Sequence, residues 1–166
     1  MNFFSNKKFG SSKTVLFLGY GKEETNLIDE LKKNKCSVIH SNDKINLQLI
    51  RNFDLIVSFG YRFIIPKDII KNSKIPLINL HISYLPWNRG AHPNFWAFYD
   101  NTPSGVSIHL IDEGIDTGPI LYQKIIKFDK SQNTFMSTHK KLILEKEKLF
   151  IENLNQILNK KYIPKH

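Results

Sequence analysis

The chain has 166 residues, 41 % of them hydrophobic and 12 % aromatic, enough for one domain with a sizeable core and too apolar for a disordered chain. It has no apolar run long enough to cross a bilayer and no signal-peptide pattern at its start, so a soluble, cytoplasmic protein with no membrane partner is the expectation. Its one cysteine, Cys36, excludes an internal disulfide and any multi-cysteine metal site, and the net charge of +9 comes mostly from scattered lysine pairs, which favours a solvated surface over a nucleic-acid face.

Residues 1–12 read as a loose lead-in. Thr14–Gly19 is a short apolar run ending in Gly, the mark of a buried strand. Leu27, Ile28 and Leu31 follow at helical spacing, with Asn34 placed to close that helix. Cys36–Ser41 reads as a second strand, Ile45–Asn52 as about two turns of helix, and Asp54–Gly60 as a third strand. A short helix after Pro66 and a fourth strand, Pro76–Ile82, complete a strand–helix alternation. That alternation specifies an α/β fold: a Rossmann-like, mostly parallel sheet with helices on both faces. An aromatic-rich short helix is expected after Pro93. Gly105–Asp112 and Pro119–Phe128 then form a hairpin-like pair of strands. A long amphipathic helix runs from Thr134 to Lys160, with Thr134 or Ser131 as its cap. The whole chain, 1–166, reads as a single domain.

Three stretches carry candidate chemistry. The turn GYGKEE offers Gly19 and Gly21 after the first strand, but lacks the third Gly of a dinucleotide loop and puts Glu24 there. It is compatible with holding one phosphate or ribose, and equally with a plain strand-to-helix turn. Asn79 and His81 lie two apart near the end of the fourth strand, so both point to one side where parallel strands place ligands. An amide that donates and an imidazole that moves a proton suit acyl transfer through an oxyanion; a hydrogen-bonded structural pair fits the same residues. The loop DEGIDTGP lacks the order of a calcium loop, and its Asp116 can orient or polarise a neighbouring His. No nucleophile elbow or Cys/His arrangement indicates an acyl-enzyme.

Taken together, INLHISYLPWNRGAHPNFWAF and GVSIHLIDEGIDTGPIL resemble the folate-dependent formyltransferase family, which includes glycinamide ribonucleotide, methionyl-tRNA and sugar N-formyltransferases. The resemblance is dense over 54–123 and extends back to Thr14. It implies the formyltransferase fold with a shortened N-terminal half, and transfer of a formyl group from 10-formyltetrahydrofolate to a primary amine without a metal. It implies Asn79, His81 and Asp116 as catalytic residues. Tyr61, Arg62, Ile64, Leu85, Pro86, Gly114 and Ile115 would frame the folate. Gly19, Gly21, Asn88, Arg89 and His92 would face the acceptor. The chain ends soon after its last helix and lacks a Gly-Ser-Asn phosphate loop, which weighs against tRNA and glycinamide ribonucleotide. The NRGAHPNFWAF run is most similar to the small sugar-modifying branch, so a nucleotide-linked amino sugar is the expected acceptor, destined for surface polysaccharide. Another amine acceptor, and a non-catalytic folate- or nucleotide-binding relative, are the alternatives. Trp87 and Trp96 are expected as packing aromatics, and the aromatic surface is compatible with a homo-oligomer.

Overall fold

A computed structural model describes residues 12–129 and 133–165. The expected lead-in, save Ser12, and the alternative cap Ser131 lie outside those residues. Six strands, β1 (Thr14–Gly19), β2 (Ser37–Ser41), β3 (Leu55–Phe59), β4 (Leu77–His81), β5 (Gly105–Leu110) and β6 (Ile120–Ile125), form one sheet in the order β2-β1-β3-β4-β5-β6. The first four are parallel, and β5 and β6 run antiparallel to their neighbours as the expected hairpin. The helices are α1 (Leu27–Lys33), α2 (Leu47–Ile50), α3 (Lys67–Asn72), α4 (Pro93–Tyr99) and α5 (Phe135–Leu158).

The period of two along β1 explains why both faces need cover. Val15 and Phe17 enter one core with Leu27, Ile28 and Leu31 of α1 and Leu142, Leu149, Phe150 and Leu154 of α5. Leu16 and Leu18 enter a second core with Ile50 of α2 and Ile69 of α3. The 24-residue α5 starts at a capping box in which the Thr134 hydroxyl accepts from Ser137 N and the Ser137 hydroxyl accepts from Thr134 N. Asn34 closes α1 as expected, its side-chain amide donating to Glu30 O at 2.9 Å. The stretch 45–52 departs from expectation: α2 is a single turn, begun by Asn46 accepting from Leu49 N. Ile45, Ile50 and Phe53 are buried in the second core, so packing rather than helix length accounts for the apolar residues of this stretch.

The topology sets where a ligand can sit. The C-terminal ends of β1, β3 and β4 lie along one edge, while β5 runs back past β4 and the β5–β6 connection folds over to set Asp116 against Asn79 and the Gly90 amide. A register irregularity between Ile108 and His109 marks β5 where it pairs with β6. Such bulges re-aim a side chain beside functional sites.

Candidate active site

On β4, Leu77 packs into the second core, and Asn79 and His81 follow on the same face by strand alternation. The antiparallel register sets His109 opposite Asn79 and Ser107 opposite His81. The β5–β6 loop then delivers Asp116. Asp112 stiffens that loop by accepting from Gly114 N at 3.1 Å and from the Thr117 hydroxyl at 2.6 Å. At Gly118 an added Cβ would strike the Leu110 carbonyl, so only glycine lets the loop return this close to β5.

Four side chains converge. The Asn79 amide nitrogen donates to Asp116 Oδ1 at 3.1 Å and lies 3.2 Å from His109 Nε2. His109 Nδ1 is 2.7 Å from the Leu110 carbonyl, so Nδ1 carries a hydrogen and Nε2 faces Asn79 and Asp116, the latter at 3.3 Å. His81 Nε2 donates to the Asn88 carbonyl at 3.2 Å and stands 3.6 Å from Asp116 Oδ2, which also accepts from Gly90 N at 2.9 Å. With Nε2 of His81 occupied as a donor, Nδ1 is the nitrogen left to accept a proton.

Electrostatics separate the two ionisable partners. Burial disfavours a charge on His81 and lowers its pKa, outweighing the nearby Asp116 carboxylate. Burial acts on Asp116 in the opposite sense, but the adjacent His109 ring, the neighbouring His81 and the Gly90 amide prevail and hold it at about 2. At neutral pH the arrangement is an ionised carboxylate beside an unprotonated imidazole.

These groups stand on the wall of a cavity of about 780 Å³, within the range that holds small molecules. Of the sequence-based candidates, Asn79, His81, Asp116, Tyr61, Arg62, Ile64, Gly114 and Ile115 line it. Phe63, Ile65, Ile70 and Ile111 add apolar wall. Tyr61 is held in place by its hydroxyl donating to the Asp43 carbonyl at 2.8 Å.

The other candidates lie off the wall, each for a visible reason. Leu85 is buried in the fold, its N–H donating to the Ser107 hydroxyl and its carbonyl accepting from Gln123, while Pro86 is exposed beyond it. Asn88 acts through its backbone carbonyl on His81, and its side chain is tied to Thr102 at 2.8 Å. Arg89 and His92 are exposed, His92 in the left-handed conformation that starts α4. Gly19 has φ +103° and a Cβ there would collide with the Phe59 carbonyl, so it serves close strand approach. Gly21 N donates to Glu24 Oε2 at 2.7 Å, so the turn's own carboxylate takes the amide that a phosphate would need. Trp87 and Trp96 are half exposed rather than packed; Trp96 meets Phe95 and Tyr99 edge-on.

Sequence reasoning missed His109, Lys146, Tyr20, Ser58 and His139, which also line the cavity. His109 had a signal: it falls on the same strand face as Ser107, opposite the apolar Val106 and Ile108. Lys146 had one too, as a cation in register with Leu142, Leu149 and Phe150 on the buried stripe of α5. Among the described residues, no group of three or more His, Cys, Asp or Glu is placed to hold a metal, and no helix is long and apolar enough to cross a membrane.

A six-stranded, mostly parallel sheet with an Asn-x-His strand end facing a loop aspartate across a cavity is the arrangement on which the comparisons with known proteins bear. Residues 30–154 match the formyl transferase family, and the chain belongs to that family. It is 40 % identical over 106 residues to a methionyl-tRNA formyltransferase of Thermodesulfovibrio yellowstonii, covering 63 % of this chain and 33 % of that one. It is 35 % identical over 162 residues to the bifunctional polymyxin resistance protein ArnA of Wigglesworthia glossinidia brevipalpis, covering 96 % of this chain and 22 % of the relative. The chain thus spans less than half the length of these curated relatives. Among solved structures, the formyltransferase PseJ from Anoxybacillus kamchatkensis, in complex with UDP-4,6-dideoxy-4-formamido-L-AltNAc and tetrahydrofolate, is 40 % identical with a TM-score of 0.85 over 92 % of this chain and 82 % of that one.

Proposed function

We propose that the chain transfers a formyl group from 10-formyltetrahydrofolate to the amine of a nucleotide-linked amino sugar. The observation that carries this reading is the convergence of Asn79, His81, His109 and Asp116 on the wall of the cavity. The folate supplies a formyl carbon on a nitrogen leaving group, with the cavity beside Tyr61, Arg62 and Ile64 as its seat. The PseJ complex, with a formamido sugar nucleotide and tetrahydrofolate bound together, supports both substrate classes.

The residues have distinct tasks. The amine must attack as a neutral nitrogen, forming the new C–N bond, and the formyl oxygen then carries negative charge. Asn79 turns an amide hydrogen from its present partners to that oxygen. Burial keeps His81 unprotonated, so Nδ1 takes the proton released by the amine. Asp116 stays ionised and stabilises the resulting imidazolium. The proton then passes to the departing folate nitrogen as the old C–N bond breaks, so the protein ends unchanged.

The test is transfer of labelled formyl from 10-formyltetrahydrofolate to UDP-linked 4-amino-4,6-dideoxy sugars, followed as formamide product and tetrahydrofolate release. Product formation that is abolished by His81→Asn supports the reading; folate binding with no product from any amine identifies a binding relative instead. The methionyl-tRNA formyltransferase relatives favour a second reading, so initiator methionyl-tRNA belongs in the acceptor panel.

A further inference from the structure

Lys146 stands on the apolar stripe of α5, on the opposite side of the sheet from Asn79 and His81. It is 4 % exposed. Its Nζ lies 4.1 Å from the centre of the Phe59 ring and donates to the Leu80 carbonyl at 3.1 Å. Among the described residues it forms no ion pair. A buried cation without a carboxylate is costly, and methionine would fill the same stripe without that cost. The β3–β4 ladder ends at the Ser58–Asn79 pair, and the ammonium takes the carbonyl just beyond it. That carbonyl belongs to the residue before His81, so the cation touches the peptide link that delivers the imidazole.

We propose that Lys146 is a positioning residue for His81: from the far face of the sheet its ammonium anchors the Leu80 carbonyl, fixes the strand end that carries the imidazole, and adds its charge to the surroundings of that ring. The use made of the unprotonated ring in transfer rests on the function proposed above; the electrostatic role does not. Charged and polar groups face His81 from several elements. Asp116 of the β5–β6 loop and the Asn88 carbonyl favour the imidazolium, whereas His109 of β5 and Lys146 of α5 oppose it. Lys146 itself faces His139 and Glu147 on α5. Arg62, Lys67, Asp112 and Glu113 also line the cavity, Glu113 paired with Lys67 and Lys71. Burial lowers Lys146 to about 7, so its charge is present in the acid range where His81 would otherwise gain a proton.

The test compares the full chain with Lys146→Met and Lys146→Gln. The imidazole proton resonance of His81, assigned by its loss in His81→Asn, is followed against pH. Met removes charge and donor; Gln keeps a donor without charge. The expected result is a rise in the His81 midpoint by about half a pH unit or more in both variants. The acid limb of kcat should move up by the same interval, with little change in the folate KM. An unmoved midpoint in either folded variant overturns the proposal, because the charge then does not reach His81. Circular dichroism establishes folding, and Gln keeps the test open if Met fails to fold. Absence of turnover in the unmodified chain would sink formyl transfer yet leave the titration result standing.

Discussion

Two strand ends on the same edge of the sheet behave in opposite ways. After β1, the glycine-bearing turn closes on itself: Gly19 meets β3, and Glu24 satisfies the Gly21 amide. After β4, the polar side chains find partners far away in sequence: Asp116 for Asn79 and His81, and His109 across the antiparallel ladder. The first has the look of a ligand loop, yet its Gly19, Gly21 and Glu24 lie off the cavity wall that Tyr20 reaches; the second resembles an ordinary strand end and forms one wall of the cavity. What separates them is that the Gly21 amide is satisfied three residues away, whereas the side chains at the end of β4 are held between distant elements.

The contrast can be broken at several strengths. Asp116→Ala should reduce turnover about 10³-fold, equivalent to about 4 kcal/mol, with folding retained. Steady-state kinetics beside a thermal melt checks it; a loss of only a few fold would remove Asp116 from the proton path. At the other strand end, Gly19→Ala forces a side chain into a left-handed backbone against the Phe59 carbonyl and should cost about 2–3 kcal/mol of stability, read by urea denaturation. An Ala variant as stable as the original would mean that the approach of β1 to β3 is looser than its geometry implies.

The pH dependence of stability comes next. The folded pKa of His81 is lowered, so as pH falls below about 6.5 the unfolded chain takes up a proton that the folded chain resists, and stability declines. Asp116 is also depressed, to about 2; its contribution is complete above about pH 4 and is lost as pH falls through that interval, an effect of about 2 kcal/mol. Asp116→Asn should flatten the lower window and leave the upper one; loss of both together would mean that the two groups titrate as one. The smallest effect is expected at Glu24. Its replacement by Gln keeps an acceptor for the Gly21 amide and should change stability by less than about 0.5 kcal/mol and acceptor KM not at all. A clear fall in acceptor KM would show that the turn takes part in binding and that Glu24 had blocked it.

Much of this contrast was legible in the sequence. The alternation of apolar runs and short helices specifies the parallel half of the sheet, because both faces of buried strands must be covered. Asn79 and His81 could be placed together because a strand repeats every two residues, and the glycines around Asp116 mark a tight, returning loop. The rest depended on contacts across the chain. His109 becomes visible only when the antiparallel register sets it against Asn79. Lys146 is hidden among many surface lysines, and only its buried position on α5 distinguishes it. Leu85 and Asn88 were near the right place, but their side chains serve the scaffold, and Asn88 reaches the site through its carbonyl.

The central claim is that the end of β4 and the β5–β6 loop form one formyl-transfer site. It is tested most directly by single-turnover transfer from labelled 10-formyltetrahydrofolate to a UDP-linked 4-amino sugar, with the intact chain and His81→Asn side by side. The account predicts labelled formamide from the intact chain and a loss of about 10²–10⁴-fold in the variant, with folate still bound. Equal rates from the two proteins would contradict it.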